Sequence, residues 1–428
     1  MRALLKGAQV YRDNQFHLTD VLLHDGIIIS ISPDLPTDSA DSVFFLDGCY
    51  LAPSFCDLHV HLREPGYSYK ETILDGTKAA AAGGFTTVCA LPNLNPVPDC
   101  MAHLEQQLEI IRQDACIEVL PYAAITQGRK GAGAPVDFSA LAPHVCAFSD
   151  DGTGVQDGGD MYTAMLLAKE NNAIITAHCE DESLIPAGGC VHDGLLMEKY
   201  NLIGIPAASE WGQIARDLDL VRQTGARYHV CHLSAGESVA LIRKAKAEGL
   251  PVTCEVTPHN LILSDADLLN EGRFKMNPPI RSVGHQQALL DGFLDGTIDV
   301  IATDHAPHSD KEKSKGLAGS VMGVVGLETA FSVLYTHLVK TGRISLEALV
   351  ERLSAAPRRI FGLAPVRLAV GQPLSAVALD LHTQYTVNPD RFLTKGRATP
   401  FKGAALSGQV RATWHAGNLV YNREDEIQ

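Results

Sequence analysis

The chain has 428 residues, 46% of them hydrophobic, with 35 Lys and Arg against 50 Asp and Glu and a formal charge of −15. That balance gives a large buried core and excludes disorder, and it also excludes an electrostatic grip on nucleic acid or an anionic membrane, either of which needs a basic patch. Seventeen His in a chain with only 20% charged residues point to metal or proton chemistry on small molecules.

The opening MRALLKGAQVYRDN lacks an apolar segment followed by a small-residue cleavage site, and no later run is long enough for a membrane span. The expected location is the cytoplasm. Ten Cys are scattered without a C-x-x-C pair and are expected to be reduced, the several in apolar runs acting as small buried hydrophobes. Residues 1–50 (ALLKGAQVY, HLTDVLLHDGIIISISP, SVFFLDGCY) read as short strands with turns and predict one part of a small β domain.

From 51 to 364 the pattern changes to eight apolar, β-rich runs: YLAPSFCDLHV, FTTVCALPN, CIEVLPYAA, VCAFSDD, AIITAHCED, RYHVCHLS, PVTCEVTPHN and IDVIATDHAP. Windows between them, such as SEWGQIARDLDLVRQTG, carry apolar residues at helical spacing and often end in Gly. Eight buried strands with intervening helices predict an α/β fold of the (β/α)8 type, with an open doubly wound sheet as the alternative. The stretch from His305 to Gly326 is rich in Lys, Gly and Ser and reads as a long loop over the barrel mouth. Residues 365–428 return to strands (SAVALDLHTQYTV, GAALSGQVRATWHAGNLVY) and predict the second part of the small β domain, a sandwich built from both termini.

Polar residues end most of the eight runs: Asp57, His59 and His61, then Asn93, Asp150 and Asp151, His178, His232, His259 and Asp304. Sites in barrels are built on that face, which favours the barrel over the open sheet. Side chains at i and i+2 of a strand share a face, so His59 and His61 converge. Alone, the pair reads better as histidines capping a strand and bonded to backbone. With His178, His232 and Asp304 at other strand ends, the crowd of imidazoles and carboxylates needs a cation. Nitrogen and oxygen donors without thiolate suit Zn²⁺ or another borderline divalent ion. Five ligands exceed one tetrahedral set, and a carboxylate bridge from Asp150 or Asp151 would complete two; spacing does not choose between them. Read singly, Asp304 is an N-cap, Asn93 and Asn277 are Asx turns and Arg63 is a surface partner of Glu64 or Glu71. His229 reads as a core histidine and His259 as a group orienting a ligand, while His192 has no role that spacing suggests.

The motifs DLHVHLREPG (57–66), FTTVCALPN (85–93), AFSDDGTGVQ (147–156), AHCED (177–181), HVCHLS (229–234), EVTPHNL (255–261), FKMNPP (274–279), IATDHAPH (301–308) and GLETAF (326–331) together resemble the dihydroorotases of bacterial class I, in the amidohydrolase superfamily. The resemblance implies a TIM-like barrel beside a β domain from both termini. It makes His59, His61 and Asp304 ligands of one Zn²⁺, His178 and His232 ligands of a second, and Asp151 the bridge, with one or two ions per subunit. Asp in place of the carboxylated Lys common at that bridge counts against hydantoinase and allantoinase, the nearest rivals. The implied reaction is reversible cyclisation of N-carbamoyl-L-aspartate to L-dihydroorotate in pyrimidine biosynthesis, by attack of a metal-bound hydroxide with Asp304 as catalytic proton shuttle. The resemblance further implies that Arg63, Asn93 and His308 hold the substrate carboxylate beside His61, and that Asn277, Met322 and Gly323 contact the ring. A homodimer, with aspartate transcarbamoylase as a further partner, is the family expectation. An inactive scaffold for that enzyme is the rival of a different class, and it typically lacks the strand-end histidines that are all present here.

Overall fold

The computed structural model describes residues 1–426. Five strands open the chain: β1 (Arg2–Arg12), β2 (Gln15–His24), β3 (Ile27–Ser32), β4 (Ser42–Phe45) and β5 (Cys49–Pro53). There follow β6 (Phe55–Val60), β7 (Phe85–Ala90), β8 (Glu118–Pro121), β9 (Ile174–Ala177), a two-residue parallel pair β10 (Val191–His192) and β11 (Gly204–Ile205), then β12 (Arg227–Val230), β13 (Val252–Val256) and β14 (Val300–Ile301). The chain closes with β15 (Ala376–Thr386), β16 (Ala405–His415) and β17 (Asn418–Asn422).

Strands β6, β7 and β8 pair in parallel, as do β9, β12, β13 and β14 in that order. Phe148 links the two groups through parallel bridges to Ala123 and Ile175, and His305 closes the ring through a parallel bridge to Val60. The result is a closed (β/α)8 barrel with one segment from each of the eight apolar runs, and the open doubly wound alternative falls away. The fourth run contributes a single-residue bridge instead of a full strand. Every residue of β6, β7 and β9 is buried, because parallel strands covered by helices have no solvent face; this is why they read as unbroken apolar runs.

The terminal strands form one sheet in the order β17-β16-β15-β5-β1-β2-β3, with β4 also on β1. Strand β5 pairs antiparallel with β15 from Cys49 opposite Asp380 to Pro53 opposite Ala376. The run YLAPSFCDLHV is therefore divided: its first half lies in the terminal sheet and its second half in the barrel. At the far ends of the sheet, the turns at Gly26 and Gly417 meet so closely that a Cβ on Gly26 would lie 2.6 Å from the Cα of Gly417. Both have φ near +80°, so glycine is required twice over. The sheet packs as a sandwich around Leu5, Val21, Ile28, Ala376 and Trp414.

Val377, Leu379 and Val410 of that sandwich share a core cluster with Phe55, Phe85 and Phe331 of the barrel. Phe55 packs against Phe331 at 5.9 Å and edge-on to Phe85 at 5.6 Å between ring centroids. Truncating such a ring to Ala costs about 3–5 kcal/mol. Phe55 begins β6, so this junction lies at the N-terminal ends of the strands and leaves their C-terminal ends open. Among the described residues no helix is long and apolar enough to cross a membrane.

Candidate active site

A cavity of about 220 Å³ opens where the barrel strands end. It is lined by His61, Arg63, Asn93, Asp151, His178, His232, Asn277, Asp304, His308, Met322 and Gly323, joined by Gly152 and Ala306. Of the residues that the family resemblance assigns to the site only His59 is off this lining; it sits just beneath, with Nε2 3.4 Å from Asp151 Oδ1. Arg63, His232 and Asp304 adopt left-handed backbone conformations at φ 61°, 29° and 47°. Each costs about 1–3 kcal/mol in a residue with a Cβ, strain that the packed strand ends hold in place and that turns these side chains into the site.

The tautomers follow from fixed acceptors. His59 donates from Nδ1 to Glu255 Oε1 at 2.9 Å, and His61 donates from Nδ1 to Asn93 Oδ1 at 2.8 Å. The Nε2 lone pair of each ring then faces carboxylate oxygen: His59 lies 3.6 Å and His61 3.1 Å from Asp304 Oδ1, and His61 3.6 Å from Asp151 Oδ2. Across Asp151 stand His178 Nδ1 and His232 Nε2, 3.0 Å apart and each 3.7 Å from Asp151 Oδ1. His59 Nε2 and Asp151 Oδ1 are fully buried and lack a hydrogen-bond partner among the described residues. Two triads of donors, His59, His61 and Asp151, and Asp151, His178 and His232, thus share one carboxylate.

Lone pair facing lone pair is unfavourable unless a proton or a cation lies between them. The separations of 3.0–3.7 Å compare with the edge of about 3.4 Å expected of a tetrahedron of ligands bound at about 2.0–2.1 Å. The donor set fits metal ions. Without them protons must take their place. Burial drives His59 toward the neutral form, but Asp151, Cys231 and Glu255 outweigh it and hold the imidazole well above its ordinary range. Burial also raises Asp304, yet the close contact with His61 Nε2 and the charges of His59 and His232 bring it down to about 2.

The choice between Asp150 and Asp151 is made by backbone donors. Asp150 accepts from Ile125 N at 2.7 Å, Thr126 N at 3.1 Å, Gly131 N at 3.1 Å and the Thr126 hydroxyl, so its carboxylate is spent on a turn. Asp151 alone faces the histidines. Sequence reasoning passed over Glu255, which is 1% exposed and binds His59 with Oε1 and His229 Nε2 with Oε2 at 3.1 Å, while also accepting from His232 N. A lone Glu inside the apolar run PVTCEVTPHN was the available signal. His229 thus orients Glu255 and stands behind the donors, and Asp57 accepts from the backbone of His59 and Thr303. His259 is buried, and burial holds it down at about 4, with Asp304 and His232 nearby. His192 lies away from the cavity, in β10 beside Arg281.

Beyond the histidines the cavity turns cationic. Arg63 donates from Nε to Pro307 O at 3.2 Å and places Nη2 3.2 Å from His308 Nε2. Asn277 donates to Glu180 Oε2 at 2.9 Å, next to His178. The stretch His305–Gly326, expected as a loop, is ordered: it holds short helices at Asp310–Lys313 and Gly316–Gly319, the first closed by a capping box between Ser309 and Glu312. Buried Lys313 pins it by donating to the carbonyls of Lys275, Val321 and Gly323 at 2.7–2.8 Å. A polar composition could not reveal that one of these lysines is buried.

Known proteins place this arrangement. Residues 48–238 match the family described as dihydro-orotase-like. The chain is 48% identical over 407 residues to the dihydroorotase of Anoxybacillus flavithermus (strain DSM 21510 / WK1), covering 95% of each chain, and 46% identical over the full length of both chains to that of Geobacillus sp. (strain WCH70). Among solved structures it resembles the L-hydantoinase (dihydropyrimidinase) of Arthrobacter aurescens, with a TM-score of 0.87, 25% identity and coverage of 98% of this chain and 96% of that one. The dihydropyrimidinase of Brevibacillus agri NCHU1002 shares the fold at a TM-score of 0.86 and 22% identity, over 99% and 96% of the two chains. With nearly half of its residues identical to dihydroorotases from end to end, and a closed barrel that carries its donors on the strand ends, the chain belongs to the dihydroorotase family.

Proposed function

We infer that this chain is a cytoplasmic dihydroorotase, interconverting L-dihydroorotate and N-carbamoyl-L-aspartate in pyrimidine biosynthesis. One observation carries the reading: the two donor triads sharing Asp151 stand at the 220 Å³ cavity that Arg63 and His308 also line, with His59 just beneath its lining. Amide-hydrolysing chemistry and a subsite for a carboxylate are thereby side by side.

In this reading His59, His61 and Asp304 would hold one Zn²⁺, His178 and His232 would hold a second, and Asp151 would be common to both donor sets. Ions so held would supply Lewis acidity and a water acidic enough to ionise near neutral pH. Asp304 takes the proton of the attacking water on its carboxylate and passes it to the ring nitrogen as the amide C–N bond breaks; ring closure runs the same transfers in reverse. Arg63, Asn93 and His308 hold the substrate carboxylate alongside His61. Asn93 already spends Oδ1 on His61, which leaves its NH₂ to donate. Asn277, Met322 and Gly323 contact the ring. The barrel unit, 51–364 apart from the end of β5 on which it opens, carries all of this, and 1–50 with 365–428 form the rest of the flanking β unit. The reading extends to a homodimer that associates with aspartate transcarbamoylase, which light scattering with and without that enzyme tests.

The fold likeness to hydantoinases raises cyclic amides without a carboxylate as the competing substrates. Against them stands an aspartate at the bridge; among the described residues no lysine lines the cavity. The test is ultraviolet turnover of dihydroorotate, hydantoin and allantoin by purified protein before and after chelation, with metal content measured. Dihydroorotate is expected to be turned over in a metal-dependent manner. Full metal occupancy without its turnover, or preference for hydantoin or allantoin, would overturn the reading.

A further inference from the structure

His308 stands between two groups that can only donate. Arg63 Nη2 lies 3.2 Å from its Nε2 and Lys70 Nζ lies 3.1 Å from its Nδ1. Burial, then the charges of Arg63, Lys70 and Lys313, keep the ring neutral, with its pKa down at about 2. A neutral imidazole has one lone pair and one N–H, so it can accept from only one of the two cations. The other contact sets donor against donor.

Lys70 has the stronger claim on the lone pair. Its charge sits on one nitrogen, whereas that of Arg63 is spread over the guanidinium. Lys70 is also held where it is: Nζ pairs with Glu312 Oε1 at 3.0 Å, and Glu312 Oε2 is fixed by Ser309 N at 3.0 Å and Ser309 Oγ at 2.7 Å. The ammonium lies 5.8 and 5.6 Å from the ring centroids of Tyr67 and Tyr69. Arg63, by contrast, is anchored through Nε and keeps its terminal nitrogens for other acceptors. Nδ1 therefore accepts from Lys70, and the proton of His308 is on Nε2. That atom faces the cavity beside Gly323, where a Cβ would lie 2.8 Å away. Nε2–H and Arg63 Nη2 then converge without an acceptor between them.

We propose that Lys70 is a positioning residue that fixes the Nε2–H tautomer of His308, so that His308 and Arg63 together present two donors to a carboxylate of the substrate. The proposal rests on the carboxylate-bearing substrate inferred above, but the tautomer itself is a property of the ligand-free protein. Lys70 does not touch the substrate in this scheme. It acts through His308, and Glu312 ties its placement to the segment that carries Met322 and Gly323.

The experiment compares wild type, K70M, K70R, H308N and K70M/H308N. Imidazole ¹⁵N spectra of the ligand-free proteins identify the His308 signals by their loss in H308N. Wild type and K70R are expected to show an unprotonated Nδ1 and a protonated Nε2, and K70M a mixed or reversed pattern. For dihydroorotate, K70M is expected to raise KM about 10- to 100-fold, the loss of one hydrogen bond to a charged group, with kcat changed less than about threefold and K70R close to wild type. In the H308N background K70M is expected to add less than about twofold, because its effect runs through the missing ring. An unchanged His308 pattern in K70M, or additive effects of the two substitutions, would overturn the proposal. Absence of dihydroorotate turnover in wild type would overturn the inferred function instead, and the spectra would still decide the role of Lys70.

Discussion

Replacing Glu255 by Gln tests whether the donors are held from behind. The carboxylate is buried, with Oε1 accepting from His59 Nδ1 at 2.9 Å and His232 N at 3.2 Å and Oε2 from His229 Nε2 at 3.1 Å. Gln has nearly the same shape but only one accepting end, so it must turn its NH₂ toward one of the two rings. If that ring is His59, the proton moves to Nε2 and the lone pair directed at Asp151 and Asp304 is lost. Supporting hydrogen bonds of this kind change metal affinity by about 10–100-fold, or about 1.4–2.7 kcal/mol. Metal content of E255Q dialysed against zinc buffers of graded free concentration should show that weakening, and activity should return as free zinc is raised. An affinity within about twofold of wild type, or activity that excess metal does not restore, would refute the account. E255L, by contrast, strands three buried donors at about 1–3 kcal/mol each and is expected to be unstable.

D304N is expected to lower kcat about 10²–10⁴-fold through loss of the proton carrier, and turnover within tenfold of wild type would count against that role. His308 is held neutral in the fold with its pKa near 2, far below the ordinary 6.5. Its folded-state pKa is depressed, so the unfolded chain gains a proton below about pH 6.5 while the folded chain does not, and stability falls as the pH drops through that value. Urea unfolding of wild type and H308N should therefore show their stability difference shifting by about 2 kcal/mol between pH 7.5 and pH 5, in favour of H308N; a constant difference would refute it. K313M removes the donor shared by the carbonyls of Lys275, Val321 and Gly323. Amide exchange across 313–323 is expected to accelerate while β6, β7 and β9 stay protected, and unchanged exchange would show that the segment holds without the ammonium.

What the sequence makes legible follows from what burial does to residue pattern. Parallel barrel strands are covered on both faces, so all eight appear as apolar runs, and polar residues that end such runs have few reasons to be there other than a site. The same signal could have exposed Glu255, a charge in the middle of a run. Elsewhere the deciding interactions are not periodic. Asp150 and Asp151 are neighbours, and only the amides of Ile125, Thr126 and Gly131, some twenty residues earlier in the chain, show which carboxylate is already spent. The break between β5 and β6 falls at Ser54 inside one apolar run, because Cys49–Pro53 finds its partner in β15, more than three hundred residues later. Lys70 and Lys313 look like two more surface lysines until the fold brings Lys70 to His308 and closes three carbonyls around Lys313.

The proposed function divides bond-breaking chemistry and choice of substrate between different elements of the fold. His59, His178, His232 and Asp304 come from strand ends whose positions the barrel fixes, and a barrel of this shape is shared, at a TM-score of 0.87, with a hydantoinase. The backbone alone therefore does not select among cyclic amides. In the proposed reading, selection falls to two donors that loops bring in, Arg63 after β6 and His308 after β14, with Lys70, before the helix at Ile73–Ala82, acting through His308. A ring without a carboxylate would desolvate Arg63 and His308 while offering them no acceptor. With about 1.5–3 kcal/mol for each hydrogen bond to a charge, two such losses amount to about 3–6 kcal/mol, a preference of about 10²–10⁴-fold for the carboxylated ring. The formal charge of −15 says nothing of this. An acidic protein can favour an anionic substrate when its few inward cations are left without carboxylate partners of their own, and Arg63, with a carbonyl and a neutral imidazole as its nearest contacts, is in that position.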